Sequence, residues 1–213
     1  MLAAANSGLT TRAQTSLCRR TVIAMSASSP QPAKAIDFLT LLHNLKDTKR
    51  TGWMRKGIKG PESIADHMYR MSMMGMVCGA DPETQVRCIK LAIVHDVAEA
   101  IVGDITPHDG VSDDEKYKLE NSAIEKIRQT IGTDQLAGEE IEQLWHEYEQ
   151  GTSPAAQLVK DFDKLEMILQ AQEYEARQGV QLDEFFSSTD GKWRTDLGRA
   201  WAAEVVSRRK PPQ

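Results

Sequence analysis

The sequence predicts an all-α fold, a compact helical bundle, and three observations carry the prediction. Apolar residues recur at helical spacing through most of the chain after residue 35. Helix starts and glycine stops punctuate these runs. No alternation of strand period reaches a useful length, and no internal repeat is evident.

The elements follow in order. Residues 1–35 stand apart: Arg12, Arg19, Arg20 and Lys34 lie among abundant Ser, Thr and Ala, and no acidic residue precedes Asp37. That composition reads as a transit peptide for a chloroplast or mitochondrion, or equally as an ordinary tail. A start at Met25 would leave a cytoplasmic product. The folded domain is expected over 36–207, with 208–213 a frayed tail. Ile36, Leu39, Leu41, Leu42 and Leu45 form a first helix that ends near Asp47. A polar loop from Asp47 to Gly60 then carries Lys49, Arg50, Arg55, Lys56 and Lys59 around Trp53. Such a loop can hold a base against the indole and a phosphate against an arginine. On its residues alone it is a solvated basic loop with one packing Trp.

Pro61 and Ser63 open a second helix, which runs through Met71, Met73, Met74 and Met76 to Gly79, its methionines read as core. Asp81 ahead of Pro82 starts a third, which delivers His95, Asp96 and Glu99 before Gly103 breaks it and frees Asp104. His108 falls in the following loop. Ser112 to Glu115 reads as a capping box for the next helix. Another helix spans Glu139 to Glu149, with Leu144 and Trp145 inward and His146 outward, and stops at Gly151. Ser153-Pro154 caps a helix that extends to about Arg177, before Gly179. The last helix spans Trp193 to Ser207; its apolar positions Trp193, Leu197, Trp201 and Val205 cover the core or form a dimer face.

A chain of 213 residues suits one domain with a single core. Its net charge of −5 and scattered basic residues argue against nucleic acid as a partner, which requires a basic stripe. No apolar run approaches the roughly 20 residues of a membrane-spanning helix. Cys18, Cys78 and Cys88 lack metal-finger spacing and read as reduced thiols.

Polar residues inside the apolar run from Leu91 to Asp104 require a reason. Helical spacing puts His95 and Glu99 on one face at i,i+4, with Asp96 beside them at i,i+3 from Glu99. Burying an imidazole and two carboxylates there is costly unless a cation compensates them. A lone His-Asp pair is more often a satisfied core histidine. Here His67 lies on a second amphipathic segment, and a distant Asp is available at Asp161 or Asp163, which completes a set of two imidazoles and two carboxylates. Periodicity does not choose between the two aspartates, since both edge the stripe of Leu158, Phe162, Leu165 and Leu169.

The order His, His-Asp, Asp is shared with a known family. Together with Arg50-Thr51-Gly52-Trp53, Pro61 to Met71, His95 to Glu99 and Gly103 to Pro107, it resembles the HD-domain metal-dependent phosphohydrolases. Among these it is most similar to the 5′-deoxynucleotidase family, from about Ile36 to about Gly179. The resemblance implies a helical bundle with the metal between central helices, and the family's Asp-Lys-Leu spacing selects Asp163. It implies that His67, His95, Asp96 and Asp163 bind the first cation. Glu99, Asp104 and the backbone carbonyl of Ile105 then serve a second cation or acid-base work, and Arg50 and Trp53 touch substrate. It also implies a homodimer that hydrolyses deoxynucleoside 5′-monophosphates with one or two divalent cations per subunit. The mixed donor set suits Mn²⁺, Co²⁺ or Mg²⁺. Two alternatives stay open: a phosphodiesterase for cyclic nucleotides or guanosine polyphosphates, and a non-catalytic nucleotide-binding protein on the same scaffold.

Overall fold

Cap residues set where the helices begin. In the computed structural model, which describes residues 31–209, Ser63 opens α4 (Ile64–Val77) in a reciprocal capping box with Asp66. Asp81 opens α5 (Pro82–Val94) by accepting the amides of Glu83 and Thr84, and Ser153 opens α9 (Pro154–Gln178) by accepting that of Ala156. Left-handed glycines, Gly151 and Gly179, close α8 (Leu136–Gln150) and α9. All of these boundaries agree with the sequence analysis. Residues 1–30, on which the transit-peptide reading rests, lie outside the described residues.

Other boundaries differ. The first helix starts earlier, as α1 (Pro32–Leu41), and Leu42 separates it from α2 (His43–Asp47). The expected loop from Asp47 to Gly60 contains a short helix, α3 (Thr51–Arg55), fastened by an isolated antiparallel bridge between Lys49 and Ser63. On α4, Met71 and Met74 are core, but Met73 and Met76 are exposed, so the methionine run is two-faced. Ser112 caps α7 (Asp113–Ile131) by accepting the Glu115 amide, while a second reciprocal box forms between Thr106 and Asp109 around a 3₁₀ turn, Pro107–Asp109.

The C-terminal region also departs from expectation. A helix absent from the sequence reading, α10 (Asp183–Ser187), precedes α11 (Asp196–Arg208), which begins behind Thr195 and leaves Trp193 outside it. Thr195 can cap there because Asp161, fully buried on α9, accepts the amides of Arg194 and Thr195 and the Thr195 hydroxyl. Gly198 is required beside this carboxylate: a Cβ there would lie 2.3 Å from Asp161 Oδ2. The tail is pinned further than 207, since Arg209 pairs with Glu175 and Asp183 and lies over the Phe186 ring.

α9 is the axis of the molecule. Its buried face, Leu158, Val159, Phe162, Leu165, Ile168 and Ala171, packs against α4, α5, α8, α10 and α11. α4 and α5 form the most extensive helix pair, and α6 (Glu99–Val102) lies against α7. Every helix that carries a candidate ligand is therefore a neighbour of α9 or a direct continuation of one.

Candidate metal centre and active site

Two histidines with no exposure to speak of define the site: His67 is 0% and His95 3% exposed. α4 presents His67 toward α9, where its Nδ1 lies 2.6 Å from Glu166 Oε2. His95, just past the end of α5, directs Nδ1 to the Ala92 carbonyl at 2.9 Å. An acceptor at each Nδ1 holds the proton there and leaves Nε2 with its lone pair free, the arrangement of a metal-ligating imidazole with an outer partner. Both Nε2 atoms are buried and make no hydrogen bond. One ligand atom each from His67, His95 and Asp163 gather within 4.8 Å of one another. Asp96 Oδ2 lies 3.0 Å from His95 Nε2 and 3.9 Å from His67 Nε2. Orphaned imidazole nitrogens facing carboxylates are a fit for a divalent cation, with no thiolate in the set.

The structure separates the two aspartates that periodicity leaves open. Asp163 Oδ1 is 3.3 Å from His67 Nε2, and its Oδ2 accepts from the Tyr148 hydroxyl at 3.0 Å. Asp161, two residues away on α9, points to the opposite side and holds the entry to α11.

The convergence of His95, Asp96 and Glu99 has a different cause from the one expected. α5 ends at Val94, and bonds from Val97 N to Val94 O, Glu99 N to Asp96 O and Ala100 N to Val97 O wind the next residues more tightly than an α-helix. A three-residue turn advances about 120° per residue, so Glu99 aligns with Asp96 and not with His95. Gly103, at φ 75°, then reverses the chain and releases Asp104 and Ile105 into the same cleft.

Glu99 is 5% exposed and its Oε2 has no partner. Burial, reinforced by the charges of Asp96 and Asp104, raises its carboxyl well above the ordinary range. Asp163 behaves oppositely: burial works against its charge, but His67 and Arg50 hold it well below that range. Two carboxyls with opposed proton affinities thus face one cleft, the pattern of an acid-base site. Asp104 accepts the Thr51 amide through Oδ2 at 2.6 Å, which ties α3 to this loop.

Arg50 precedes α3 and reaches Asp96 at 3.6 Å and Asp163 at 3.9 Å, so it stands beside the cluster. Trp53 is the packing Trp that the loop's residues suggest and offers no open stacking surface for the substrate contact that the resemblance implies. It is 1% exposed, donates Nε1–H to Glu62 Oε1 at 2.8 Å, and packs on Phe185 at 4.3 Å and Tyr174 at 5.3 Å between ring centroids. A cleft of about 750 Å³ opens over these groups. Lys116, Met167 and Phe185 line it as well, none of them singled out from sequence. Glu62, Tyr148 and Glu166 were missed also; a buried His67 demands an Nδ1 acceptor, but helical spacing does not say which acid of α9 supplies it.

This geometry, two buried imidazoles and a His-Asp pair on central helices, defines an HD-domain protein. A sequence profile of the HD domain matches residues 42–204, and the chain belongs to that family. Its relatives include 5′-deoxynucleotidase HDDC2 of Dictyostelium discoideum, 45% identical over 188 residues that cover 82% of this chain and 98% of that one. A second is 5′-deoxynucleotidase HDDC2 of Danio rerio, 49% identical over 160 residues that cover 74% of this chain and 79% of that one. Among solved structures, PH0347 from Pyrococcus horikoshii superposes with a TM-score of 0.66 at 34% identity, covering 81% of this chain and 96% of that one.

Two measurements follow from this site. Asp163→Ala is expected to weaken Mn²⁺ binding by more than the roughly 10–100-fold typical of an outer partner. Asp161→Ala should instead leave Mn²⁺ affinity intact and lower urea stability by about 2–4 kcal/mol, since buried donors lose their acceptor. The reverse pattern would reassign the ligand. Burial, and then the charge of Glu166, raises Glu62 from 4.5 to about 7. A carboxyl raised in the folded state adds stability below its unfolded value and loses it as pH climbs through the folded one. The cation-free protein should therefore lose, between about pH 4.5 and 7, a part of its stability that Glu62→Gln retains; parallel urea curves for the two would refute this.

Proposed function

We infer that the chain is a metal-dependent phosphomonoesterase, a 5′-deoxynucleotidase that converts deoxynucleoside 5′-monophosphates to nucleoside and phosphate. The observation that carries the reading is Glu99: a buried carboxyl whose Oε2 has no partner, set beside imidazole nitrogens free to take a cation. The 5′-deoxynucleotidase names of relatives aligned across most of the chain support the substrate class.

His67, His95, Asp96 and Asp163 would hold the cation, and the nitrogen and carboxylate donors suit Mn²⁺, Co²⁺ or Mg²⁺. When bound, it supplies charge that neutralises a phosphomonoester and acidifies an attacking water. Arg50 offers a planar fork to the phosphoryl oxygens. Glu99 takes the proton of the attacking water, and Asp104 returns one to the departing 5′-oxygen or, with Ile105, helps hold a second cation. Trp53 shapes the wall through its packing on Phe185 and so positions the substrate indirectly.

The test is phosphate release from ribo- and deoxyribonucleoside monophosphates by metal-stripped protein, with Mn²⁺, Co²⁺, Mg²⁺ or Zn²⁺ restored singly. Metal-dependent turnover that favours the deoxy substrates is expected, and Glu99→Gln should lower it by about 10²–10⁴-fold with Mn²⁺ still bound. Silence across the panel from cation-loaded protein would overturn the reading. A homodimer completes the proposal. Tyr69, Met73, Met76, Val77, Val86 and Ile93 stand exposed along α4 and α5, whereas Leu197, Trp201, Ala202 and Val205 of α11 pack on the core. Light scattering should return twice the chain mass, and a monomer at working concentration would remove this part.

A further inference from the structure

The phosphoryl end of the proposed substrate poses an electrostatic problem. Asp96, Glu99, Asp104 and Asp163 face one cleft, and a phosphate dianion that enters it meets like charge. A single divalent cation and Arg50 do not balance both the carboxylates and the incoming anion, so a further fixed cation is needed on the wall.

The cleft is lined by Arg50, Arg55, Lys56, Lys116 and Lys164 among its permanently cationic groups. Three are engaged elsewhere. Arg55 pairs with Asp109, and Lys56 with Glu184. Lys164 donates to the Lys160 carbonyl and lies 3.2 Å from Asp161, the carboxylate that faces away from the site. Arg50 reaches the cluster from the α3 side. Lys116 differs from the other lysines: it stands on α7, which packs against the helix of Glu99, and its one ion-pair partner among the described residues is Glu120 at 3.6 Å, one turn along. Glu120 is buried, and its carboxylate stands 3.6 Å from the ammonium of a lysine that lines the cleft.

We propose that Lys116 is a substrate-binding residue, the counterpart of Arg50, whose ammonium takes a phosphoryl oxygen of the monoester, and that Glu120 positions it. The assignment rests on the phosphomonoesterase reading of the same cleft and extends it to a residue outside the His-Asp motif. Burial disfavours the charged form, but Glu120, Asp96, Glu99 and Asp104 outweigh it and keep Lys116 cationic. Its donors rotate freely, unlike the fixed fork of Arg50, so the pair can follow the phosphoryl group as its oxygens spread toward the transition state.

The experiment uses inorganic phosphate as the probe and the full-length protein loaded with Mn²⁺. Lys116→Met, which keeps the apolar stem, and Lys116→Arg, which keeps the charge, are compared with the parent for phosphate affinity, Mn²⁺ affinity and thermal midpoint. Lys116→Met should bind phosphate at least about tenfold more weakly, as expected for a lost charge-assisted bond. Its Mn²⁺ affinity should be unchanged or tighter, because a cation beside the carboxylates has been removed; Lys116→Arg should recover most of the phosphate affinity. With a deoxynucleoside monophosphate, KM should rise more than kcat falls. Phosphate affinity within twofold of the parent in both folded variants overturns the proposal. So does a loss of Mn²⁺ affinity that matches the loss of phosphate affinity, which would place Lys116 in the metal site. If the parent protein turns over no deoxynucleotide yet binds phosphate in a Lys116-dependent way, the nucleotidase reading fails and the Lys116 assignment stands.

Discussion

The structure is organised around two imidazoles buried with their Nδ1 positions committed. Glu166 and the Ala92 carbonyl accept from Nδ1–H, and what remains is a pair of unpartnered Nε2 atoms opposite Asp163 and Asp96. A site of that kind is unfavourable in an apolar interior until positive charge occupies it. With no metal in place a proton takes that position on His67: burial and Arg50 work against it, yet Asp163 and Glu166 prevail and raise the imidazole to about 9. The centre is therefore built to attract a cation, and α4, α5 and α9 must stay in register for it to exist.

A second network connects this centre to the substrate side. Glu62 accepts from Trp53 and lies 3.9 Å from Arg50, while its own amide donates to the Tyr174 hydroxyl. Asp104 binds the first amide of α3 from the other direction. The short helix that carries Trp53, and presents Arg50 at its entry, is thus clamped between the ligand-bearing helices and the loop after Gly103. Rigid support of this sort is what allows a guanidinium to sit near four carboxylates without collapsing onto one of them.

Most of the helical framework is legible in the amino-acid sequence, because caps and glycine stops act through bonds between residues two to four apart. Ser63, Asp81, Ser153, Gly151 and Gly179 mark their boundaries by local rules. Those rules fail where distant partners decide. The start of α3 is held by Asp104 and the Glu62 carbonyl, the start of α10 by Glu175 and Arg209, and the start of α11 by Asp161, which accepts from Thr195 across 34 positions. An ideal helix groups His95 with Glu99, whereas the tightened turn after Val94 aligns Glu99 with Asp96.

The sequence by itself determined the fold class, the family and the residue types of the metal site, since His67, His95-Asp96 and Glu99 stand out as ionisable groups within apolar runs. Tertiary structure decided which further groups surround that site. Periodicity places Asp161 and Asp163 at the edge of one stripe and only the family spacing points to Asp163; packing turns Asp161 to the entry of α11 and Asp163 toward the two imidazoles. Glu166, Tyr148, Glu62 and Lys116 sit on segments whose neighbours are far away in the chain, so their roles follow from packing. Trp53 shows the same limit: the loop's own residues suggest a packing Trp and the family resemblance a substrate contact, and long-range contacts with Glu62, Tyr174 and Phe185 bury the indole.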